Sequence, residues 1–419
     1  MADRRGQHRH FGILDIGTAK VAAAVVVAQR QTSEASPSLR LAGLGVQRAK
    51  GMKAGVLTDL DEAEAAVRAA IGQAERAAGV SIDSVTVSVA CGRLRSQHFT
   101  ANADIENGIV SDADMLRLMT GGRAYAERDG RALLHMNRIG VRLDGAPGMT
   151  DPRGLAARRM AADLHVVTAD DAPLRNLLLL IDRCYLACDG LVALPYASAL
   201  AVTTPEERDY GVTCIDFGAG TASFALFADG RLVGADVVPV GSQHITFDIA
   251  KSLQTPLVEA ERIKTLYGTL ASAQSDDHET FSYPLVGEDD TAAYQITKAQ
   301  LTAIIRPRVA QILKLVRERL ADNPASAFAG ETIVVTGGAS QLLGLAEFIA
   351  NDFGRPVRLG RPLGVAGLND SASGPQLAAI CGLALAATYG DDGFARHHGD
   401  RPTSAGYLGR VGSWLKAGF

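Results

Sequence analysis

Neither sign of charge is in surplus: 42 Lys and Arg face 46 Asp and Glu, a formal net charge of −4. A general nucleic-acid binder needs a basic excess, so no nucleic acid is expected as a partner. Cysteine is sparse and odd in number (Cys91, Cys184, Cys188, Cys214, Cys381), which excludes a disulfide framework and leaves buried free thiols in a reducing cytoplasm. Cys184 and Cys188 alone are close, at a spacing that suits one face of a helix. The nine histidines show no ligand spacing, so no metal cluster is expected from them. Long hydrophobic runs are also missing. Val21–Ala28 is too short, and Asp182, Arg183 and Asp189 interrupt the run at Leu177–Ile181, against the roughly 20 residues that a span requires. The basic start MADRRGQHRH has no apolar stretch with a cleavage site behind it. No G-x-x-x-x-G-K-[ST], no G-x-G-x-x-G in a βαβ setting and no G-x-S-x-G elbow occur, which removes P-loop, dinucleotide-binding and serine-hydrolase readings. Aromatics make up 5% of the chain, and its one tryptophan, Trp414, stands five positions from the C-terminus.

What is present is a foldable chain of 419 residues, 47% hydrophobic, long enough for two or three domains. Strand-like and helix-like stretches alternate, an α/β pattern. Phe11–Ile16 and Val21–Ala28 read as strands around a Gly-Thr turn. Asp61–Ala78 reads as a helix with acids in its first turn and Gly79 beyond its end, and Val85–Ala90 as a strand. From Gly92 to Ala169 the pattern loosens around a helix near Ser111–Glu127 with a capping-box start and a turn at Asp151–Gly154, as expected of an inserted subdomain. A helix (Asp170–Leu186), a strand (Leu191–Leu194) and a helix after Pro195 follow. Val212–Phe217 and Ala222–Phe227 then repeat the opening layout about 200 positions later, an internal duplication. Beyond it come helices near Ser242–Leu253 and Pro256–Leu266, a polar stretch, a long helix over Thr297–Leu320, a strand at Thr332–Thr336, a helix after Ser340 and another over Pro375–Tyr389.

A hairpin turn rich in Gly and Thr exposes backbone N–H groups in a nest that suits phosphate oxygens. In Asp15–Lys20, Gly17 and Ala19 keep the backbone approachable, Thr18 offers a hydroxyl and Lys20 a cation. Asp15 would repel phosphate directly and instead hold a hydrated Mg²⁺. Asp216, Gly218, Ala219, Gly220 and Thr221 offer the same equipment from a second hairpin. One such hairpin is equally an ordinary tight turn; two, each preceded by Asp, point to a clamp on nucleotide phosphates. Gly337 and Gly338 form a third glycine turn, suited to a flat base against bare backbone. Glu259, Glu261 and Lys264 share one helix and taken alone read as a solvated charged face.

These segments resemble, in order, the nucleotide-site motifs of the actin, sugar-kinase and DnaK-type chaperone superfamily. DIGTAK (15–20) and IDFGAGT (215–221) resemble its phosphate motifs, LPYASALA (194–201) and GPQLAAICGLAL (374–385) its connecting helices, and TGGAS (336–340) its adenosine motif. Within that superfamily the segments GSQHITFDIAKSLQTPLVEAERIKTLYG (241–268), SDADMLRLM (111–119), DPRGLAARRMAADLHVVT (151–168) and VRLGRPLGVAGL (357–368) resemble the FtsA family of bacterial cell-division proteins. The resemblance implies an actin-like fold of two duplicated halves with ATP and Mg²⁺ between them. It divides the chain into subdomain 1A (11–90 and 170–200), 1C (91–169), 2A (201–241 and 331–390) and 2B (242–330), after a flexible start (1–10). It also implies that Asp15 and Asp216 organise the metal, that Glu261 and Lys264 contact ribose, and that Gly337 and Gly338 form the adenine shelf. Leu194 stands where many relatives carry Glu. No general base is therefore assigned, and hydrolysis is expected to be slow at most.

Residues 391–404 read as a tether. Beyond it, Tyr407, Leu408, Val411, Trp414, Leu415 and Phe419 fall on one helical stripe, with Arg410 and Lys416 as the cations and no acid between 406 and 419. Thirteen helical residues reach roughly 20 Å, too short to cross a bilayer and suited to lying in its interface. A helix docked on the protein's own core is the other reading, and the polar tether speaks against it. The resemblance implies a peripheral protein on the cytoplasmic side of the inner membrane at the division site, filament-forming with copies of itself. It would bind the C-terminal peptide of the tubulin-like FtsZ on 2B and other division proteins through 1C. Lys298, Arg306 and Arg308 are the candidate cations for that acidic peptide, or else part of a solvated face. A pilus-assembly adaptor resembling PilM and a sugar-kinase-like phosphotransferase are the rival readings. The second would need a catalytic Asp, and no motif supplies one.

Overall fold

The computed structural model describes residues 8–29, 38–148, 151–271, 273–287, 294–367 and 374–388. The start of the chain, the tether and the whole C-terminal stripe, Tyr407 to Phe419, lie outside the described residues. Strands β1 (His8–Ile16), β2 (Lys20–Gln29) and β3 (Ser38–Arg48) form an antiparallel meander. The ribbon β4 (Met52–Lys53) and β5 (Val56–Leu57) leads to helix α1 (Leu60–Ala78). The Asp59 side chain caps its start by accepting from the Glu62 N–H at 3.0 Å, and Gly79 ends it at a φ of 70°. Its buried stripe of Ala63, Ala66, Val67, Ala70, Ile71 and Ala74 recurs at helical spacing and packs on β2 and β3. Strand β6 (Ser84–Val89) then joins β1 in parallel.

Here the chain leaves the sheet. Strand β7 (Arg95–Asp104), helix α2 (Asp112–Ala126), strands β8 (Arg131–Leu143) and β9 (Ala146–Pro147), and strand β10 (Arg159–Asp170) build a separate antiparallel sheet in the order β7-β10-β8-β9. Ser111 and Asp114 form the expected capping box at the start of α2. This unit has its own core of Ile105, Val110, Met115, Leu118, Val141, Leu143, Met160 and Leu164. Helix α3 (Asp171–Arg183) returns the chain to β11 (Ala187–Ala193), which extends the first sheet beside β6. Helix α4 (Leu194–Val202) follows directly, then the short α5 (Pro205–Tyr210).

The second half repeats the first. Strands β12 (Val212–Phe217), β13 (Ala222–Ala228) and β14 (Arg231–Val238) make the same meander. Helices α6 (Ser242–Leu253) and α7 (Leu257–Tyr267), the ribbon β15 (Thr280–Tyr283) with β16 (Tyr294–Thr297), and helix α8 (Lys298–Ala321) intervene. Strands β17 (Thr332–Thr336) and β18 (Val357–Leu359) then add in parallel on either side of helix α9 (Leu345–Phe353). The two sheets, β3-β2-β1-β6-β11 and β14-β13-β12-β17-β18, therefore share one topology. The last elements, β19 (Val365–Ala366) beside β3 and helix α10 (Ala378–Ala386), belong spatially to the first half. Among the described residues no helix is long and apolar enough to cross a membrane.

One expectation is corrected. Cys184 and Cys188 do not share a helix face: α3 stops at Arg183, Tyr185 turns the chain at a φ of 61°, and Cys188 lies in β11. Neither Gly nor Pro announces that break, so periodicity alone carries the helix too far. Likewise the helix expected from Pro375 begins as a 3₁₀ turn, Pro375–Leu377, and becomes α-helical at Ala378.

Candidate functional site

The shared topology brings the two Gly-Thr hairpins face to face. Both turns close with the same hydrogen bond, Gly17 N–H to the Lys20 carbonyl and Gly218 N–H to the Thr221 carbonyl, each 2.9 Å. The turns touch: a Cβ placed on Gly220 would sit 2.2 Å from Thr18 Oγ1. Thr18 Oγ1 also accepts from the Gly55 N–H at 3.1 Å, which fixes its rotamer. The carbonyls of Gly218 and Ala219 accept from Ser242 (3.0 Å) and Gln243 (2.8 Å), so the second turn is bound to the N-terminus of α6.

Asp15 and Asp216 stand next to last in β1 and β12, both buried. The Ser88 hydroxyl donates to Asp15 Oδ1 at 2.6 Å, and the Ser198 hydroxyl donates to Asp216 Oδ2. Lys20 Nζ donates to the Gln376 carbonyl. Burial raises the Asp15 carboxyl against the pull of Lys20, and pushes Asp216 up to about 6, with Asp15 adding to the rise. Burial also lowers Lys20, which the two carboxylates oppose. Two buried carboxylates thus share one ammonium, an acidic excess that a divalent cation carrying phosphate would neutralise. The donor set is oxygen only, as Mg²⁺ prefers, so the residues fit that ion.

The third glycine turn stands beside them. Gly337 has a φ of +88°, and a Cβ on it would lie 2.2 Å from Asp216 Oδ1. Any side chain there would push on the carboxylate itself. Ser340 Oγ closes the turn on the Gly337 carbonyl at 2.7 Å, while Gln341 Nε2 reaches the Gly338 carbonyl and Gln376 Oε1, both at 3.3 Å. Glu261 and Lys264 in α7 form a triangle with Thr246 of α6. Thr246 Oγ1 donates to Glu261 Oε2 at 2.5 Å, and Lys264 Nζ donates to the same oxygen at 2.7 Å and to Thr246 Oγ1 at 2.9 Å. The Leu270 N–H to Leu343 carbonyl bond, 2.8 Å, holds this part of the chain beside the Gly338 turn.

The expected cleft residues therefore come together from four stretches of chain. Ser88, Ser198, Thr246 and Gln376 join them, although no motif marks these four as site residues. Ser88 and Ser198 carry one detectable signal, a small hydroxyl at a fully apolar position of a strand or helix. The cations of α8 are engaged within the chain. Lys298 pairs with Glu279 (3.2 Å) and Asp276 (3.4 Å). Arg308 forks onto Asp248 at 2.6 and 2.8 Å. Arg306 donates to the Leu270 carbonyl at 3.2 Å and lies over the Phe348 ring.

Two like-built halves meeting at paired hairpins, each with an aspartate at the strand end, define an actin-like cleft protein. Solved structures of that shape agree. The PilM–PilN type IV pilus biogenesis complex is similar with a TM-score of 0.65 at 17% identity, covering 90% of this chain and 98% of that one. MreB5 of Spiroplasma citri bound to ADP follows at 0.52 and 15%, covering 90% and 95%. At such identities the likeness is one of fold alone. The sequence is more specific. Residues 213–382 match the family model described as Cell division protein FtsA, and residues 91–168 match the SHS2 domain inserted in FTSA. The FtsA proteins of Agrobacterium fabrum and Rhizobium meliloti are 37% and 38% identical, each over 97% of this chain and 94% of the relative. The chain belongs to the FtsA family of cell division proteins.

Proposed function

We propose that this division protein binds Mg–ATP in the cleft, polymerises on the inner face of the cytoplasmic membrane, and tethers FtsZ there while recruiting later division proteins. The observation that carries the nucleotide reading is the pairing of Asp15 and Asp216 across two touching hairpins around one half-buried lysine. The backbone N–H groups of residues 18–20 and 219–221 would hold the phosphates, with the Lys20 and Thr18 side chains, while Gly17 and Gly218 close the two turns. Asp15 and Asp216 would orient the hydrated metal, Glu261 and Lys264 the ribose, and Gly337 and Gly338 the base. A bound metal would supply neutralisation of the phosphate charge beside the two carboxylates. Connect helix α4 starts with Leu194, and no carboxylate in its first turn positions a water. Nucleotide is accordingly a conformational and assembly ligand rather than a fast-turnover substrate. Equilibrium titration with ATP and Mg²⁺ tests this: Asp216→Asn with Asp15→Asn should weaken binding at least tenfold, and unchanged affinity sinks the reading.

The tail, Tyr407 to Phe419 with Arg410 and Lys416, would lie in the interface of anionic lipid, its two cations adding about 1 kcal/mol each. Polymerisation multiplies that modest affinity. Co-sedimentation with anionic liposomes should be lost on deleting residues 405–419 and weakened by Trp414→Ala, with ATP binding intact. For FtsZ, the acidic C-terminal peptide would dock along α8 by exchanging with the internal partners of Lys298, Arg306 and Arg308. Reversing all three charges should abolish peptide binding, while retained binding would move the site elsewhere.

A further inference from the structure

The inserted sheet does not hang from the first half alone, because strand β8 touches both halves. At its start, Arg131 is a knot. Its guanidinium donates to Asp170 Oδ1 (2.6 Å), Thr168 Oγ1 (2.7 Å), the Thr168 carbonyl (2.8 Å) and the Arg93 carbonyl (2.9 Å). Arg93, Thr168 and Asp170 are the residues through which the chain enters and leaves the insertion, and the Asp170 N–H bonds the Gly92 carbonyl at 2.6 Å. Leu134, three residues further on, lies in the large core that the first half shares with one face of β12, β13 and β14.

The other part of β8 reaches the second half. Its pairing with β10 slips between Gly140 and Arg138, so Ile139 is an extra, bulged residue. Arg231, at the start of β14, donates to the carbonyls of Ile139 (2.8 Å) and Arg138 (3.2 Å). The Ile139 side chain packs against the core of the second half. Asn137 Nδ2 donates to the Leu232 carbonyl at 3.0 Å, and the Ala235 N–H reaches Ser96 Oγ at 3.4 Å. Strand β14 has its own slip at the facing place, where Val233 is left out of the pairing with β13. From Arg131 to Asn137 the strand spans about 20 Å, from the root in one half to a seam with the other. Beyond the seam, the chain runs on from the end of β14 to Ser242 and Gln243, which bind the second hairpin turn.

We infer that β8 is a strap between the two halves and that the inserted domain is thermodynamically coupled to the cleft through the Ile139–Arg231 seam. Closing the cleft draws the turn at Gly218 and Ala219 inward and holds β14 against β8. A partner that seizes the inserted domain then alters nucleotide affinity by the same factor as nucleotide alters its own. The inference rests on the nucleotide reading of the cleft.

Amide hydrogen exchange with and without Mg–ATP tests it. In the unaltered protein, nucleotide should slow exchange at 17–20 and 218–221, and also several-fold at 137–140. In Arg231→Ala and in Ile139→Ala the turns should remain protected while the response at 137–140 disappears, and nucleotide affinity should fall two- to tenfold. Unchanged exchange around Met160 and Leu164 shows that the inserted domain stays folded in both variants. Protection of the turns with no response at 137–140 in the unaltered protein overturns the strap and leaves the cleft reading standing. No protection anywhere overturns both.

Discussion

Lys20 is the smallest unit on which the cleft depends. It is the cation facing both Asp15 and Asp216, and burial lowers its own affinity for a proton. Removing one member of a buried charge set costs about 3–5 kcal/mol, because the partners stay behind unneutralised. Lys20→Met should therefore lower the melting temperature of the ligand-free protein by roughly 3–6 °C, at about 1 °C per kcal/mol for 419 residues. Adding Asp15→Asn should restore much of it. Calorimetry of the single and double variants decides the matter, and an unchanged midpoint in the single would mean that the three charges are solvated. The serines behind the carboxylates show why residue-level prediction stopped short. Asp15, Gly17 and Lys20 are legible because a strand end followed by Gly and Thr has few uses. Ser88 and Ser198 are separated from their partners by 73 and 18 positions, and nothing local says that a hydroxyl in an apolar run has a carboxylate to serve.

At the scale of elements, α4 and α10 cross so closely that backbone meets backbone. A Cβ on Gly382 would fall 1.6 Å from the Ala197 carbonyl oxygen. Overpacking of this kind costs typically about 1–3 kcal/mol and more where main chain must move. Gly121, in α2 and exposed, has nothing within 4 Å of its missing Cβ. There the same change removes the entropic handicap of glycine, worth about 0.5–1 kcal/mol. Gly382→Ala should thus destabilise and Gly121→Ala stabilise, read as opposite shifts of the thermal midpoint; shifts of one sign would refute the crossing. The contrast also explains which elements the sequence makes legible. Helix α1 carries its own signals, Asp59 before it, Gly79 after it and an unbroken apolar stripe between, and β12, β17 and the later part of β1 are largely buried apolar runs next to glycine. Strands β7, β8 and β10 carry no such signal, since they form a sheet with a polar face and their alternation is diluted by Arg, Asp and Thr. Their order β7-β10-β8 is a matter of long-range pairing that no window of sequence contains.

Among the described residues three large apolar cores and one small cluster, Ala126, Leu133 and Val166, make up the molecule, and the place where the inserted sheet meets the rest is built from histidine. His165 and His135 are 0% and 1% exposed. His98 lies 4.8 Å from His165 ring to ring, and His135 packs on Tyr196 of α4 and accepts from the Ala193 N–H at 3.2 Å. Ser96 Oγ bonds His165 Nε2 at 2.6 Å and faces β14, so the cluster lies against the seam that joins the inserted sheet to both halves. Burial holds His135 and His165 down to about 3, the latter helped by repulsion from the other two rings, and burial lowers His98 as well. In the open chain each imidazole titrates near 6.5. Between those values the unfolded chain takes up protons that the folded protein refuses, so stability is fully present above about pH 6.5 and declines as the pH falls toward 3. At pH 5 the loss is about 2 kcal/mol for each of His135 and His165, or about 4 kcal/mol together. Urea denaturation followed by circular dichroism should therefore show a midpoint that drops between pH 7 and pH 5. His135→Gln with His165→Gln, though less stable at pH 7, should show a visibly flatter dependence. Because the histidines join bodies rather than fill one of them, the acid loss should appear first as exchange at Asn137–Gly140 and Arg231–Ala235, before the core of the inserted domain opens. A pH profile that remains steep in the double variant would place the acid-sensitive groups elsewhere.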